Sequence, residues 1–244
     1  MARAVTMEKR FRVNSKKSKE NTFTIRLLEW FLSNGRDFPW RHETSPYKIL
    51  VAEKLLQQTT YGHVMKVYQT FLKKFPNVEA LAKAEVSEIE DTIRRLGFQR
   101  QRAKQFKEMT SALLRKHNGA IPSNKKDLLE LSGIGDYVAN AVLCFAFNED
   151  VPIVDMNVRR IVGRYFDWGK SNDMEIKKRL DEIIPKGKSK QFNWGMIDFS
   201  NIICARKPKC KICFLNDLCS YYRGLQTGNR GLTNFRPALI KKSS

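Results

Sequence analysis

Two glycines between two helical segments decide the fold, in the stretch Leu131-Ser132-Gly133-Ile134-Gly135-Asp136-Tyr137-Val138-Ala139-Asn140-Ala141-Val142-Leu143. Residues 127–131 are typical of a short helix, and Gly133 and Gly135 permit a tight turn because glycine adopts backbone angles that other residues avoid. Apolar residues recur at helical spacing over 138–145, which predicts a second helix. Amides at a helix start bind anions, so the turn can hold a phosphate, although an ordinary connection between helices has the same pattern.

The charge of the chain indicates a polyanionic partner. Its 45 Lys and Arg residues exceed its 25 Asp and Glu residues, which gives a formal net charge of +20. Residues 1–20 contain seven basic and two acidic residues, so a basic tail alone does not account for the excess. Nucleic acid is the simplest partner for such a body.

The sequence predicts an intracellular protein. It contains no apolar stretch of transmembrane length and no secretory signal, so we expect a cytoplasmic, nucleoid-associated protein that does not bind membranes. Five cysteines in a reducing compartment favour metal binding over disulfides.

Helical periodicity dominates the rest of the chain, and no alternating strand pattern competes with it, so the predicted class is all-α. A first helix is expected at about residues 24–34. The helices expected after it are 47–58, 61–74, 86–95, 100–117, 124–131 and the hairpin helix, which ends at about 147.

Two acidic residues stand in patterns that suit acid chemistry. Asp155 precedes an apolar repeat typical of a helix, so it can be an N-cap, and a carboxylate at a helix start stays ionised at neutral pH. Glu53 has apolar residues three and four positions away on a predicted helix, and desolvation there raises a carboxyl pKa and suits it to donate a proton. Taken alone, the same pattern favours a Glu53 side chain that reaches solvent beside Lys54 and Gln57.

Four cysteines form a compact metal-binding pattern, C-x5-C-x2-C-x5-C, made by Cys204, Cys210, Cys213 and Cys219. Zinc is one candidate, but structural zinc sites usually place two short-spaced pairs further apart, and compact runs suit iron–sulfur clusters. Cys144 stands alone in an apolar helix and is expected to be a packing residue.

The hairpin and Asp155, which follows Tyr137 by eighteen residues, resemble the helix-hairpin-helix DNA glycosylases, the superfamily that includes endonuclease III and the adenine-mismatch glycosylases. The resemblance covers roughly residues 24–222 and implies a [4Fe–4S] cluster on the four cysteines, although the first gap is one residue shorter than in the family. It also implies two helical domains, a six-helix domain with the hairpin and a domain with the iron–sulfur loop. The implied bounds are 1–20 for a basic flexible arm, 45–149 for the six-helix domain, 21–44 plus 150–222 for the iron–sulfur domain and 223–244 for a flexible tail.

The resemblance further implies roles for individual residues. Asp155 is the catalytic aspartate, whose charge stabilises the positive sugar and which orients or deprotonates the attacking water, and Glu53 helps the base depart. A glutamine is expected to enter the duplex, with Gln58 as the first candidate and Gln57 as the second. Phe98, beside Gln99, is the expected apolar wedge. The other implied DNA contacts are Gly133, Ile134 and Gly135 of the hairpin and Lys209 on the basic cysteine loop. For Phe98, core packing is an equal alternative.

Tyr137 distinguishes between members of the superfamily. Endonuclease III has a lysine there, whose amine attacks the sugar and enables strand cleavage, whereas a phenol cannot form a Schiff base. With Thr59–Val64 and Met196–Cys204, Tyr137 resembles the archaeal-type thymine glycosylases that act on T·G mismatches. We therefore expect a monomeric, monofunctional enzyme without efficient lyase activity that removes thymine, and uracil, opposite guanine in double-stranded DNA. The Gln57-Gln58 pair is closer to the enzymes that remove adenine opposite guanine or 8-oxoguanine, which remain an alternative. A non-catalytic iron–sulfur DNA-binding protein is a second alternative, but it has no need for both acids.

Overall fold

The structure, a computed structural model, describes residues 15–228. Within that range the regular structure consists of α-helices and short 3-10 turns without a strand, which confirms the predicted all-α class. None of the described helices combines the length and the hydropathy that crossing a membrane requires. In chain order the helices are α1 (Ser15–Asn34), α2 (Pro46–Leu56), α3 (Tyr61–Met65), α4 (Tyr68–Lys74), α5 (Val78–Lys83), α6 (Val86–Ile93), α7 (Gln99–His117), α8 (Lys125–Leu129), α9 (Asp136–Phe147), α10 (Met156–Phe166), α11 (Asp173–Asp181), α12 (Ser189–Ile202) and α13 (Ser220–Gln226).

The described chain divides into two compact units. Arg36–Ile153 form the first, here named the hairpin unit, which contains α2 to α9. The remaining described residues, 15–35 and 154–228, form the second, here named the cluster-loop unit, which contains α1 and α10 to α13. Each unit has an apolar core of its own.

Helix α2 lies in the interior of the hairpin unit. Residues 49–52 form an uninterrupted apolar run and are at most 2 % exposed, as expected for a helix that other elements cover on every side. Helix α9 packs along α2, and α5 and α6 pack against α7. The end of α2 meets the turn before α9, where the Gln57 side-chain amide donates a hydrogen bond to the Gly133 carbonyl at 3.1 Å. The core of the unit thus places the end of α2 beside the hairpin.

The hairpin unit contains more helices than the six predicted. The helix expected over 61–74 is interrupted between Met65 and Tyr68, and α5 was not expected. Apolar periodicity could not reveal the interruption, because Val64, Val67, Tyr68 and Phe71 keep helical spacing across it and are all buried. Helix α5 is too short to establish a period, but the Asn77 side chain caps it by accepting from the Ala80 amide at 2.8 Å.

The bounds of the hairpin unit also differ from the predicted 45–149. The unit includes 36–44 because Phe38 and Trp40 are buried in its core, with stacked rings 4.9 Å apart between centroids. It includes 150–153 at its other end, where the Asn140 side-chain amide donates to the Pro152 carbonyl at 2.9 Å. Aromatic packing and this hydrogen bond extend the unit in both directions.

In the cluster-loop unit, α1 and α10 pack against α12. Phe23 on α1 is fully buried, and its ring centroid lies 4.9 Å from that of Tyr165 and 5.0 Å from that of Phe166 on α10. Because α1 begins at Ser15, residues 15–20 of the predicted arm are helical, and residues 1–14 lie outside the described residues. Helix α13 takes up the first part of the predicted tail, and residues 229–244 lie outside the described residues.

Candidate active site and metal centre

The glycine hairpin has the geometry that its sequence predicts. Gly133 has a φ of +70°, a conformation that side chains disfavour, and the Ile134 amide closes the turn by donating to the Leu131 carbonyl at 3.1 Å. Gly135 is the N-cap of α9, whose first helical hydrogen bond runs from the Ala139 amide to the Gly135 carbonyl at 3.0 Å. Ile134 is 6 % exposed, so its side chain anchors the turn in the core. An approaching anion would meet the backbone of the turn and the start of α9.

A cavity of about 330 Å³ lies beside the hairpin. Six of the predicted site residues line it, and four further side chains complete its wall. The lining residues are Gln57, Gln58, Phe98, Gln101, Arg102, Gln105, Gly133, Gly135, Tyr137 and Val138. Tyr137 contributes from the first turn of α9. Gln99 does not line this cavity, although it begins α7 directly after Phe98.

Gln58 and Phe98 share an unusual backbone conformation at this cavity. Their φ angles are +52° and +53°, in the left-handed region that costs a non-glycine residue on the order of 1–3 kcal/mol. Phe98 is 62 % exposed, which excludes the core-packing alternative for its side chain. Gln58 is exposed, whereas Gln57 is partly buried and bonded to the hairpin. The two strained residues therefore present their side chains to solvent at the rim of the cavity.

Glu53 is buried rather than solvent-facing, so the alternative that its local pattern favoured is wrong. Its side chain is in the interior with a residue exposure of 5 %, and burial raises its pKa from 4.5 to about 7, although the Arg41 charge acts in the opposite direction. The Glu53 Oε2 atom is enclosed and has no hydrogen-bond partner among the described residues. A carboxyl with this pKa is partly protonated at neutral pH and can serve as an acid.

Sequence reasoning missed two buried cations at the end of α2. Lys54 is 1 % exposed and Arg102 is 5 % exposed, and both bond to backbone carbonyls around the cavity. Charged residues are almost never this buried unless they are paired with polar groups. For Lys54 the one available signal was a lysine just after the apolar run of α2, and no signal pointed to Arg102.

Asp155 lies in the cluster-loop unit as the N-cap of α10, as its sequence context predicts. Its Oδ1 accepts from the amides of Asn157 and Val158, both at 2.8 Å, and its Oδ2 accepts from the Asn157 side-chain amide at 2.8 Å. These three donors hold both carboxylate oxygens in place at the start of α10.

A hydrogen-bonded chain connects Asp155 to the cysteine loop. Asn157 Oδ1 accepts from Arg160 at 2.9 Å, and Arg160 also donates to the carbonyls of Cys204 at 2.9 Å and Ser200 at 3.0 Å. Arg164 donates to the carbonyls of residues 205 and 206 at 2.6 and 3.0 Å, and its nitrogen lies 3.6 Å from Cys204 Sγ. The arginines of α10 thereby hold the first segment of the loop.

The cysteine loop has the donors of an iron–sulfur site. Cys204, Cys210, Cys213 and Cys219 all line one cavity, and burial raises their pKa values, for Cys213 to about 12. Among residues 15–228 no group of three or more His, Cys, Asp or Glu side chains is arranged to hold a single metal ion. Four thiolates that line one cavity have the ligand chemistry of a cubane cluster, and the charge of its iron would lower their pKa values.

Basic side chains cover the outside of this loop. Lys209 is exposed, as are the other loop cations Arg206, Lys207 and Lys211. Cys144 lies elsewhere, on α9 of the hairpin unit, and is fully buried as predicted. The loop therefore combines four partly buried thiols with a cationic surface.

Two family models match the sequence. Residues 51–186 match the model of HhH-GPD superfamily base excision DNA repair proteins, and residues 205–219 match the iron–sulfur binding domain of endonuclease III. The second match confirms the predicted iron–sulfur cofactor.

Curated relatives cover most of the chain. A thymine/uracil-DNA glycosylase of Methanothermobacter thermautotrophicus is 42 % identical over 86 % of this chain and 97 % of its own length. A thymine-DNA glycosylase of Aeropyrum pernix is 41 % identical over 81 % of this chain and 92 % of its own length. An adenine DNA glycosylase of Mycobacterium tuberculosis is 34 % identical over 80 % of this chain and 66 % of its own length.

Solved structures show the same fold. A thermostable thymine-DNA glycosylase superposes with a TM-score of 0.83 at 40 % identity, over 86 % of this chain and 99 % of its own. Endonuclease III in a trapped covalent intermediate with DNA superposes with a TM-score of 0.76 at 26 % identity, over 88 % of this chain and 99 % of its own. These structures extend over both compact units.

Proposed function

Because the chain belongs to the HhH-GPD superfamily of base excision DNA repair proteins, we propose that it is a monofunctional DNA glycosylase that removes thymine, and uracil, mispaired with guanine. Its substrate is double-stranded DNA with a T·G or U·G mismatch, on which it acts as a monomer associated with the nucleoid. The high identity to thymine and thymine/uracil glycosylases supports the choice of base.

The observation that carries the monofunctional assignment is the position of Tyr137. It lies in the first turn of α9 and lines the cavity beside the hairpin, so the side chain next to a bound nucleotide is a phenol. A phenol does not form the Schiff base through which an amine would cleave the strand. Tyr137 can instead stack on the extruded base and exclude water.

Glu53 and Asp155 have different roles in the reaction. As the bond between the base nitrogen and C1′ breaks, its electron pair leaves with the base and positive charge develops on the sugar. Glu53 in its neutral form donates a hydrogen bond or a proton to the departing base, since burial has raised its pKa to about 7. Asp155, held by three donors, stabilises the positive sugar and accepts the proton of the water that attacks C1′.

Duplex binding uses the hairpin, the cavity rim and the cysteine loop. The hairpin backbone holds a phosphate, Phe98 enters the base stack and Gln58 contacts the base left without its partner. The iron–sulfur cluster supplies the frame of the loop, whose Lys209 contacts the DNA backbone.

Adenine removal is the second candidate, favoured by the Gln57-Gln58 pair and by the similarity to an adenine DNA glycosylase. A buried acid such as Glu53 suits adenine as well, because a purine leaves more readily when protonated.

A single-turnover assay on five duplexes distinguishes these functions. Labelled duplexes with T·G, U·G, A·G, A·8-oxoguanine and normal pairs are incubated with the protein, treated with alkali and resolved on a denaturing gel. We expect cleavage of the T·G and U·G strands only after alkali, and none with Asp155→Asn. Cleavage confined to the adenine duplexes would favour adenine removal. No cleavage of any duplex would favour a non-catalytic DNA-binding protein.

A further inference from the structure

Lys54 is buried in a place where an apolar side chain would be expected. It lies on α2 next to the apolar run 49–52, and only 1 % of it is exposed. A lysine ammonium loses hydration free energy when it is buried, so a chain that keeps one there gains something other than packing.

The Lys54 ammonium is directed at the hairpin. Its Nζ donates to the Gly133 carbonyl at 3.0 Å and to Gln105 Oε1 at 2.9 Å. The same Gly133 carbonyl accepts from Gln57 at 3.1 Å, so two side chains of one helix end hold one peptide of the turn. A Cβ on Gly133 would clash with Lys54 Nζ and with Gln105 Oε1, so the ends of both side chains lie directly against this glycine.

Arg102 extends this arrangement to the loop that carries Phe98. It donates to the carbonyl of Lys54 at 2.9 Å, to that of Gln57, and to that of Gly97 at 3.0 Å. The end of α2, residues 97–98 and the hairpin thus share one partly buried polar cluster, formed by Lys54, Gln57, Arg102, Gln105 and Gly133. Gln58 and Phe98, the two non-glycine residues at the cavity with left-handed backbones, directly follow a member of this cluster or a residue bonded to it.

We propose that Lys54 is a positioning residue for DNA: its ammonium holds the hairpin turn in the conformation that binds a phosphate, and keeps the turn in register with Gln58 and Phe98. The proposal rests on the proposed duplex-binding function of the hairpin. Hydrogen bonds in a chain polarise one another, so the bond from Lys54 to the Gly133 carbonyl strengthens the Ile134 amide bond that closes the turn.

The ionisation of Lys54 separates this role from simple packing. Burial, followed by the nearby Arg102 charge, lowers the Lys54 pKa from 10.5 to about 8. The three helices around Lys54 carry further ionisable groups: Tyr47, Lys48 and Glu53 on α2, Arg100, Arg102, Lys104, Lys107, Glu108, Arg115, Lys116 and His117 on α7, and Asp136, Tyr137 and Cys144 on α9. DNA phosphate favours the charged amine, so DNA affinity should fall as the pH rises through about 8, where Lys54 loses its proton.

The test compares Lys54→Met with the wild-type holoprotein. Methionine matches the length of lysine without charge, so we expect thermal stability equal to or higher than that of the wild type. We expect affinity for an uncleaved, normally paired duplex at pH 7 to fall about tenfold or more, the scale of one charged hydrogen bond. Lys83→Met, which removes an exposed lysine of α5, is the matched control and should change the affinity less than threefold.

The same duplex is titrated from pH 6.5 to 9.5 in each protein. The wild type and Lys83→Met should lose affinity through pH 8, and Lys54→Met should lack that phase. Equal affinities and equal pH profiles for wild type and Lys54→Met would overturn the proposal. If Lys54→Met does not fold, Lys54→Gln replaces it in the same comparison. A wild-type affinity that does not fall near pH 8 also overturns the proposal. Because normally paired DNA is used, this result is independent of whether the protein releases thymine.

Discussion

Replacing Glu53 with glutamine should make the protein more stable at alkaline pH while it impairs base release. The substitution keeps the shape of the side chain and removes a buried carboxyl whose Oε2 has no partner among the described residues. A site chosen for folding alone would not keep this carboxyl. The expected combination of greater stability and lower activity is the mark of a side chain retained for chemistry.

The magnitude follows from the raised pKa of Glu53. One pKa unit corresponds to about 1.4 kcal/mol, so the rise from 4.5 to about 7 corresponds to about 3 kcal/mol. Because the folded state binds this proton more tightly, the stability contribution is fully present below pH 4.5 and is lost as the pH rises through about 7. Glutamine does not titrate, but its amide hydrogens also need acceptors, so we expect a gain of about 1–3 kcal/mol at pH 8 and almost none at pH 4.5.

Urea unfolding at pH 4.5 and pH 8 measures this difference, with single-turnover base release measured at pH 7. Glu149→Gln, an exposed site in the same unit, is the matched control and should leave both quantities unchanged. In the wild type, base release should decline above pH 7 as Glu53 loses its proton. If the unfolding free energy of Glu53→Gln has the same pH dependence as that of the wild type, the stability contribution assigned to the Glu53 carboxyl is wrong.

Three further predictions concern the other site residues. Asp155→Asn should slow base release by on the order of a hundredfold or more while mismatch affinity is retained, because the amide keeps the cap of α10 but loses the charge. Single-turnover rates within a few-fold of the wild-type rate would contradict the catalytic role of Asp155. Tyr137→Lys should form a borohydride-trapped adduct and nick the strand, and an active, folded variant that traps no DNA would count against Tyr137 beside the sugar. The third prediction concerns the cysteine loop. The purified protein should contain about four irons per chain, and one zinc per chain would refute the iron–sulfur assignment. Lys209→Ala should weaken the affinity for all duplexes alike and lower the salt slope by about one, and an unchanged slope would refute its contact with the DNA backbone.

The sequence predicted those parts of the protein that depend on local patterns. The hairpin follows from Gly133 and Gly135, and the cap of α10 follows from Asp155 ahead of an apolar repeat. The spacing of the cysteines indicated a metal loop, which the match to an iron–sulfur binding domain confirms. In each case the chemistry and the geometry come from residues that are close together in the chain.

Other features depend on contacts that local patterns do not contain. Lys54 is buried where α2 packs against α9 and reaches Gln105 of α7. Glu53 is buried as well, although a window of α2 alone favoured an exposed side chain. The break before Tyr68 is invisible because the apolar spacing continues across it. Arg102 reaches carbonyls more than 40 residues away, so its part in the site required the folded chain.

The most direct test of the account is the mass of both products from a T·G duplex treated with wild-type protein under single-turnover conditions. We predict free thymine in solution, together with a full-length strand whose mass is reduced by the loss of that base and which breaks only after alkali. A T·G strand of unchanged mass beside an A·8-oxoguanine duplex that releases adenine would contradict the assignment of the base. A strand already nicked without alkali would contradict hydrolysis without lyase chemistry.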